Sequence, residues 1–155
     1  MLYLVFEVGE NRLALPAARV AEVLPSLRLE SVPRAPVGMA GFFNYRGAFV
    51  PVIDLCQLIS GKPAGKHLST RIILIKFSDC NGISRLAGLL AEQVTNTVRK
   101  DPAAFSETGV TTGETPFLGP VATDGKGVIH LIIPEKLLLE RAADMLAFLP
   151  EEVPA

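Results

Sequence analysis

Gly41-Phe-Phe-Asn44-Tyr45-Arg46-Gly47-Ala-Phe-Val-Pro51-Val-Ile-Asp54-Leu55 is the stretch from which the rest of the chain can be read. Two apolar runs, Gly41 to Tyr45 and Ala48 to Ile53, flank Arg46-Gly47, and this pattern predicts a β-hairpin with glycine at its tight point. Pro51 has no N–H to give to a neighbouring strand, so it places the returning run at an edge or a bulge. Asp54 then stands where a side-chain acceptor can cap a short helix, Leu55 to Ile59, which Gly61 and Pro63 end.

Toward the N-terminus, Leu2 to Val8 and Leu13 to Leu15 enclose the turn residues Gly9 to Arg12, a second hairpin. Pro16 can open a helix, and Ala17, Ala18, Val20, Ala21, Val23 and Leu24 supply a short apolar stripe for one or two turns before Pro25. Ser26 to Val32 is strand-like, and Pro33-Arg-Ala-Pro36 marks a corner. Toward the C-terminus, Ser60 to Ser69 has the composition of a solvated connector. Arg71 to Phe77 and Arg85 to Leu90 are strands around a turn at Ser78 to Gly82, and Glu92 to Val98 continues as strand or irregular chain. Asp101 to Glu114 reads as an exposed loop. Phe117 to Thr123 and Gly127 to Ile133 enclose the turn Asp124 to Gly127. Pro134 then opens a helix over Glu135 to Phe148, with Leu138, Ala142, Met145 and Leu149 on one face.

The two halves repeat one another. Leu15 to Val20 corresponds to Leu89 to Val94, and Gly41 through Leu58 corresponds to Gly119 through Leu137. Many short strands joined by Gly and Pro turns predict a mainly β protein of two small five-stranded barrels. The expected division is residues 1–60 for the first barrel, 70–133 for the second, and a C-terminal helix at 134–149 that packs against the first. All of it forms one domain over 1–155.

Composition narrows the function. Across 155 residues, 15 basic side chains stand against 16 acidic ones, so there is no bulk field to attract nucleic acid. No apolar run approaches the roughly 18 residues of a membrane span, and the opening Met1 to Val8 reads as a strand and not a signal peptide, so a cytoplasmic protein is expected. Cys56 and Cys80 lack CxxC spacing and fit reduced thiols. His67 and His130 have no evident partners, and a zinc site needs about four compatible ligands, so neither metal nor cofactor is expected. Gly125-Lys-Gly127 lacks the full phosphate-loop spacing and reads as a hairpin turn. No GxSxG elbow is present. Taken alone, Arg46 reads as a solvated turn residue, Asn44 and Gly47 as turn formers, Gly41 as a structural glycine and Asp54 as a helix cap.

The run Gly41 to Leu58 resembles the CheW family. That family's signature is a glycine, apolar residues, Asn-Leu-Arg-Gly, then apolar-Val-Pro-Val-apolar-Asp-Leu and a Leu-rich short helix. Tyr45 replaces the usual leucine. The resemblance extends to Tyr3-Leu-Val-Phe6, Leu13 to Leu24, Gly88 to Glu92, Phe117 to Gly119 and the closing Leu-rich segment. It departs from the family where Ile133-Pro134 stands in place of a second acidic cap and where Glu92 stands in place of the common aspartate.

The resemblance implies a stand-alone, non-catalytic adaptor without cofactors. Its partners would be the regulatory domain of a CheA-type histidine kinase and the cytoplasmic tip of a chemoreceptor, in arrays at the membrane into which it does not itself insert. It carries Arg46 over as a partner contact, with Asn44, Tyr45, Gly47, Val32 and Leu90 as further candidate partner-binding positions. Two other readings stand beside it. One is a CheW-like adaptor of a surface-sensing, pilus-motility or developmental pathway. The other is a small-molecule-binding barrel that uses Glu92, His130 or Arg46 in a cleft.

Overall fold

A computed structural model describes residues 1–35, 37–64, 70–78, 82–107 and 117–139. Its strands are β1 Leu2–Val8, β2 Asn11–Pro16, β3 Val20–Pro25, β4 Met39–Tyr45, β5 Ala48–Asp54, β6 Arg71–Ser78, β7 Ser84–Arg99, β8 Leu118–Asp124 and β9 Gly127–Ile132. Two short helices, α1 Leu55–Ser60 and α2 Pro134–Leu139, follow β5 and β9. The hairpins expected at 2–15, 41–53, 71–90 and 117–133 form as β1–β2, β4–β5, β6–β7 and β8–β9.

Two segments differ from the sequence reading. Only Ala17–Arg19 makes a helical turn, of the 3-10 kind, and Val20–Pro25 is strand β3, antiparallel to β6. The Ala and Val spacing that suggests a helix is overridden by β6, whose branched side chains offer a pleated partner. Ser26 to Val32 forms no strand; its one ladder contact is the bridge from Glu30 to Phe42. Most of the expected C-terminal helix, including Ala142, Met145 and Leu149, lies outside the described residues, as do the core of the connector and the middle of the 101–114 loop.

The pairing also corrects the expected division of the chain. One sheet runs β7-β1-β2-β9-β8 and the other β3-β6-β7-β5-β4, each with five members. The long strand β7 belongs to both, through its first part at Gly88 to Leu90 beside β5 and its last part at Asn96 to Arg99 beside β1. The units are therefore not residues 1–60 and 70–133. Every ladder that is not a hairpin joins a strand before residue 61 to one after residue 70. Nor do the sheets close into barrels among the described residues: no ladder joins β8 to β7 or β4 to β3.

The duplication itself is visible in register. β1 buries its residues in the same order as the first seven positions of β6, with Glu7 and Lys76 as the matching outward charges. Both β4 and β8 bulge, between Met39 and Gly41 and between Leu118 and Val121. The Asp54 N–H donates to the Gly38 carbonyl at 2.7 Å, and the Ile133 N–H donates to the Phe117 carbonyl at 2.8 Å, in equivalent places. Glu30 bridges to Phe42 as Ser106 bridges to Val121. In each half two strands form a hairpin in one sheet and the chain then crosses to the other, the first half for β3, β4 and β5 and the second for the last part of β7, β8 and β9.

A single main core results, because Leu4, Phe6, Leu13, Leu15, Ile53 and Leu55 pack with Ile73, Ile75, Leu89, Phe117, Ile132 and Leu137. Each such side chain contributes about 1.5–3 kcal/mol when fully buried. The helices close this core at matching points. Cys56 of α1 donates to Glu92 of β7 at 3.4 Å, and Glu135 of α2 is paired with Arg19, whose guanidinium also donates to the Lys76 carbonyl.

Candidate functional site

The conspicuous surface feature is the tip of the β4–β5 hairpin. Tyr45 and Ala48 are the last paired residues, leaving Arg46 and Gly47 as a two-residue loop with φ of 51° and 91°. Positive φ at both positions is the type I′ pattern, which matches the twist of the flanking strands. For Arg46 this left-handed conformation is unfavourable, whereas Gly47 adopts it at no steric cost. Asn44 supports the turn, since its Oδ1 accepts from the Gly47 N–H at 2.9 Å. The turn roles expected of Asn44 and Gly47 are thus visible in the geometry.

Arg46 is exposed, and its guanidinium lies 5.0 Å from the centroid of the Tyr45 ring. That ring stands edge-on to Phe43, with centroids 6.3 Å apart, and Phe43 is buried among Val50, Val52, Ile72 and Leu74. The Tyr45 hydroxyl donates to Glu22 Oε2 on β3 at 2.7 Å. The residue that departs from the family's usual leucine therefore links the hairpin to the edge strand and supplies a platform for the arginine. Nearby, Phe49 is 53% exposed and meets Phe42 edge-on at 5.5 Å. Neither Glu22 nor Phe49 is marked by sequence reasoning. The only available signal for Phe49 is an aromatic at an outward position of a strand whose alternate residues are buried.

Gly41 and Asp54 hold the other end of this hairpin. Gly41 has φ of 148°, and a Cβ there would lie 2.5 Å from the Glu30 carbonyl oxygen, so only glycine lets the chain at Leu29 and Glu30 cross β4. Asp54 is buried. It accepts from the Gln57 N–H at 3.2 Å as the α1 cap and from the Ala64 N–H at 2.8 Å, tying the start of the connector to the end of β5. Gly61 terminates α1 in the left-handed conformation. At the equivalent place Ile133 has no side-chain acceptor, and α2 begins with Pro134, which needs none for its own nitrogen.

The remaining candidates are not brought to this tip. Leu90 is half-buried on β7 opposite Asp54 and Ile72. It is separated from the Arg46 end by the length of β5, about 20 Å at the usual rise per strand residue. Val32 is half-buried between β3 and β4, with its carbonyl accepting from the Ala35 N–H at 3.1 Å. The polar groups of the small-molecule reading are also apart. Glu92 sits opposite Glu7 and holds Cys56, His130 lies between Leu13 and Val121, and Arg46 is at the tip of the other sheet. Among the described residues no group of three or more His, Cys, Asp or Glu is placed to hold a metal ion. No helix among them is long and apolar enough to cross a membrane.

Two pseudo-equivalent five-stranded sheets that share one long strand and present a stiff, charged hairpin define a duplicated β module. The chain belongs to the CheW-like domain family, whose model matches residues 2–142. Protein FrzA of Myxococcus xanthus is 35% identical over 99 residues, which cover 64% of this chain and 58% of that protein. The chemotaxis protein CheW of Helicobacter pylori is 26% identical over 61% of this chain and 54% of its own length. The matches thus span only a little over half of these relatives. A longer match, 26% identical over 88% of the chain and 80% of the relative, is to the chemotaxis protein CheW of Klebsiella aerogenes. The crystal structure of the scaffolding protein TtCheW from Thermoanaerobacter tengcongensis superposes with a TM-score of 0.79 at 27% identity, covering 94% of this chain and 92% of that one.

Proposed function

We propose that the chain is a non-catalytic chemosensory adaptor that couples the cytoplasmic tip of a chemoreceptor to the regulatory domain of a CheA-type histidine kinase, with Arg46 as a partner contact. The observation that carries this reading is the held geometry of Arg46. Its backbone is kept in an unfavourable conformation at an exposed tip, its guanidinium is stacked on Tyr45, and Tyr45 is fixed by Glu22. A solvated turn residue has no need of this support, whereas an interface arginine gains from being preorganised before it meets its partner. Among the described residues β3 pairs only with β6, and its other edge offers further surface for pairing with another chain. Leu90, at the opposite end of β5 from the tip, fits a second contact region, as a scaffold between two partners requires. Adaptors of pilus-motility, surface-sensing or developmental pathways share this reading and differ in the receptor and kinase they join.

The test compares two substitutions in adjacent residues. Arg46→Glu should leave unfolding within about 0.5 kcal/mol of the parent, as an exposed change, and weaken binding to kinase or receptor by more than about 1 kcal/mol. Gly47→Val should damage both, because a β-branched residue cannot hold φ of 91° without strain. Normal binding by Arg46→Glu in a pull-down with both partners would return Arg46 to the role of a turn residue.

A further inference from the structure

The pattern of strand pairing bears on how copies of the chain can associate. Among the described residues, and apart from the isolated bridges Glu30–Phe42 and Ser106–Val121, the ladders within residues 1–60 are the hairpins β1–β2 and β4–β5, and those within the second half are β6–β7 and β8–β9. All four other ladders, β1–β7, β2–β9, β3–β6 and β5–β7, run between the halves, and the main core draws on both. β3 is carried away from its own hairpin into the second half's sheet, and the last part of β7 is carried into the first half's. The two halves therefore stand to each other as subunits of an intertwined dimer do, covalently joined only through the segment from Gly61 to Thr70.

We propose that a second copy of this chain can supply the complementary half, giving a reciprocally exchanged dimer in which residues 1–60 of one copy complete the sheets of residues 70–139 of the other. Each ladder, each core contact and both helix attachments, Cys56 to Glu92 and Arg19 to Glu135, are reproduced in such a dimer. No new interface has to be created, and the assembly closes on itself by a twofold axis. What selects the monomer is the tether. Ser60 lies beside Gly9 at the end of β1, the Ser60 Cβ being 3.6 Å from a Cβ placed on Gly9, while Arg71 pairs with Ala91 on the far side of β7. The ends to be joined are thus about two strand spacings, or 10 Å, apart. A run of ten residues can reach more than about 30 Å when extended, so the natural segment spans this distance within one chain. It also supplies the second half at an effective concentration on the order of millimolar, above that of free chains. A stiff connector beyond Ala64 removes this advantage and leaves the Ala64 N–H on Asp54.

The experiment replaces residues 65–69 by eight prolines, a semi-rigid extended spacer about 25 Å long that keeps the Ala64 N–H on Asp54. Light scattering on the purified variant should show a dimer with the parent's far-ultraviolet circular dichroism. A second measurement uses two full-length chains with natural connectors. Leu13→Asp puts a charge into the core of the first half, and Leu89→Asp does so in the second; both positions are fully buried in the parent. Each alone should be insoluble. Co-expressed, they should yield more soluble protein than either chain alone, as a heterodimer in which the first half of the Leu89→Asp chain completes the second half of the Leu13→Asp chain while the two charged halves stay unpaired. A proline-connector variant that remains a folded monomer, or a co-expressed pair no more soluble than either chain alone, overturns the proposal.

Discussion

The hydroxyl of Tyr45 on β4 is held by the carboxylate of Glu22 on β3 across 2.7 Å, a link between the β4–β5 hairpin and a strand that has one ladder partner among the described residues. The hydrogen bond to Glu22 is the main reason that the Tyr45 phenol titrates above its ordinary value, since ionisation would set phenolate against carboxylate. Glu22→Gln should therefore bring its titration back down, as read by ultraviolet absorbance in alkaline solution. An unchanged titration would show that the hydrogen bond is not formed. Tyr45→Phe keeps the ring beneath Arg46 and should preserve partner binding, while Tyr45→Leu removes the ring and should weaken it.

Arg46 occupies a conformation that asparagine tolerates far better. Arg46→Asn creates Asn-Gly, the preferred pair for a type I′ loop, and should stabilise the protein by on the order of 1 kcal/mol. It should at the same time weaken partner binding, because the guanidinium is gone. Denaturant unfolding and a binding titration on the same preparation check both outcomes. Greater stability with undiminished binding would mean that the arginine contributes nothing at the interface.

Cys56 is sealed between α1 and β7, and burial, aided by the hydrogen bond to Glu92, pushes its thiol up to about 12. In a Cys80→Ser background the folded protein should resist alkylation at mildly alkaline pH and react once unfolded in urea. The thiol is neutral in both states below its ordinary value of 9.0, so its contribution to stability is fully present there. That contribution is lost as pH rises toward about 12, because the unfolded chain ionises first. Cys56→Ala should flatten the fall in stability over this range.

Asp124 at the β8–β9 turn accepts two hydrogen bonds from Arg12 on β2, at 2.7 and 2.9 Å, and one from the Lys126 N–H at 2.8 Å. The Arg12 guanidinium holds its carboxyl well below the usual carboxylate range. A lowered value stabilises the fold above the ordinary carboxyl pKa, near 4, and the effect disappears as the group is protonated at lower pH. Asp124→Asn keeps an acceptor for the Lys126 N–H but removes the charge. Its melting temperature should fall less steeply with acidification than the parent's, and equal slopes would assign the acid sensitivity to other carboxylates.

What the sequence reveals here is local chemistry. The 41–53 hairpin, the Asp54 cap and the Gly61 stop rest on turn and cap preferences that neighbouring residues impose on one another, and all appear where they are expected. The exchange of strands between halves has no such signature. The parallel ladders β2–β9 and β5–β7 join residues far apart in the chain, and an apolar run does not specify which other run it will pair with. Val20–Pro25 is misread for the same reason, since β6 decides its conformation. The family resemblance picks out Arg46 and Leu90 alike, yet gives neither the distance between them nor the Glu22 to Tyr45 to Arg46 arrangement that holds the arginine in place.

β7 carries one further consequence. Its side chains alternate against β6 and β5 at one end and against β1 at the other, and the two stretches are joined through Gln93, which has φ of 51°. One residue inserted or removed between Ala91 and Asn96 would turn the inner face of one sheet outward while leaving the other correct. No ladder among the described residues includes 61–70, so a change of length between Ala64 and Thr70 leaves every register as it is, but this crossing has a fixed count of residues. Over evolutionary time, length variation in such a chain should collect in the connector and be purged from the middle of β7.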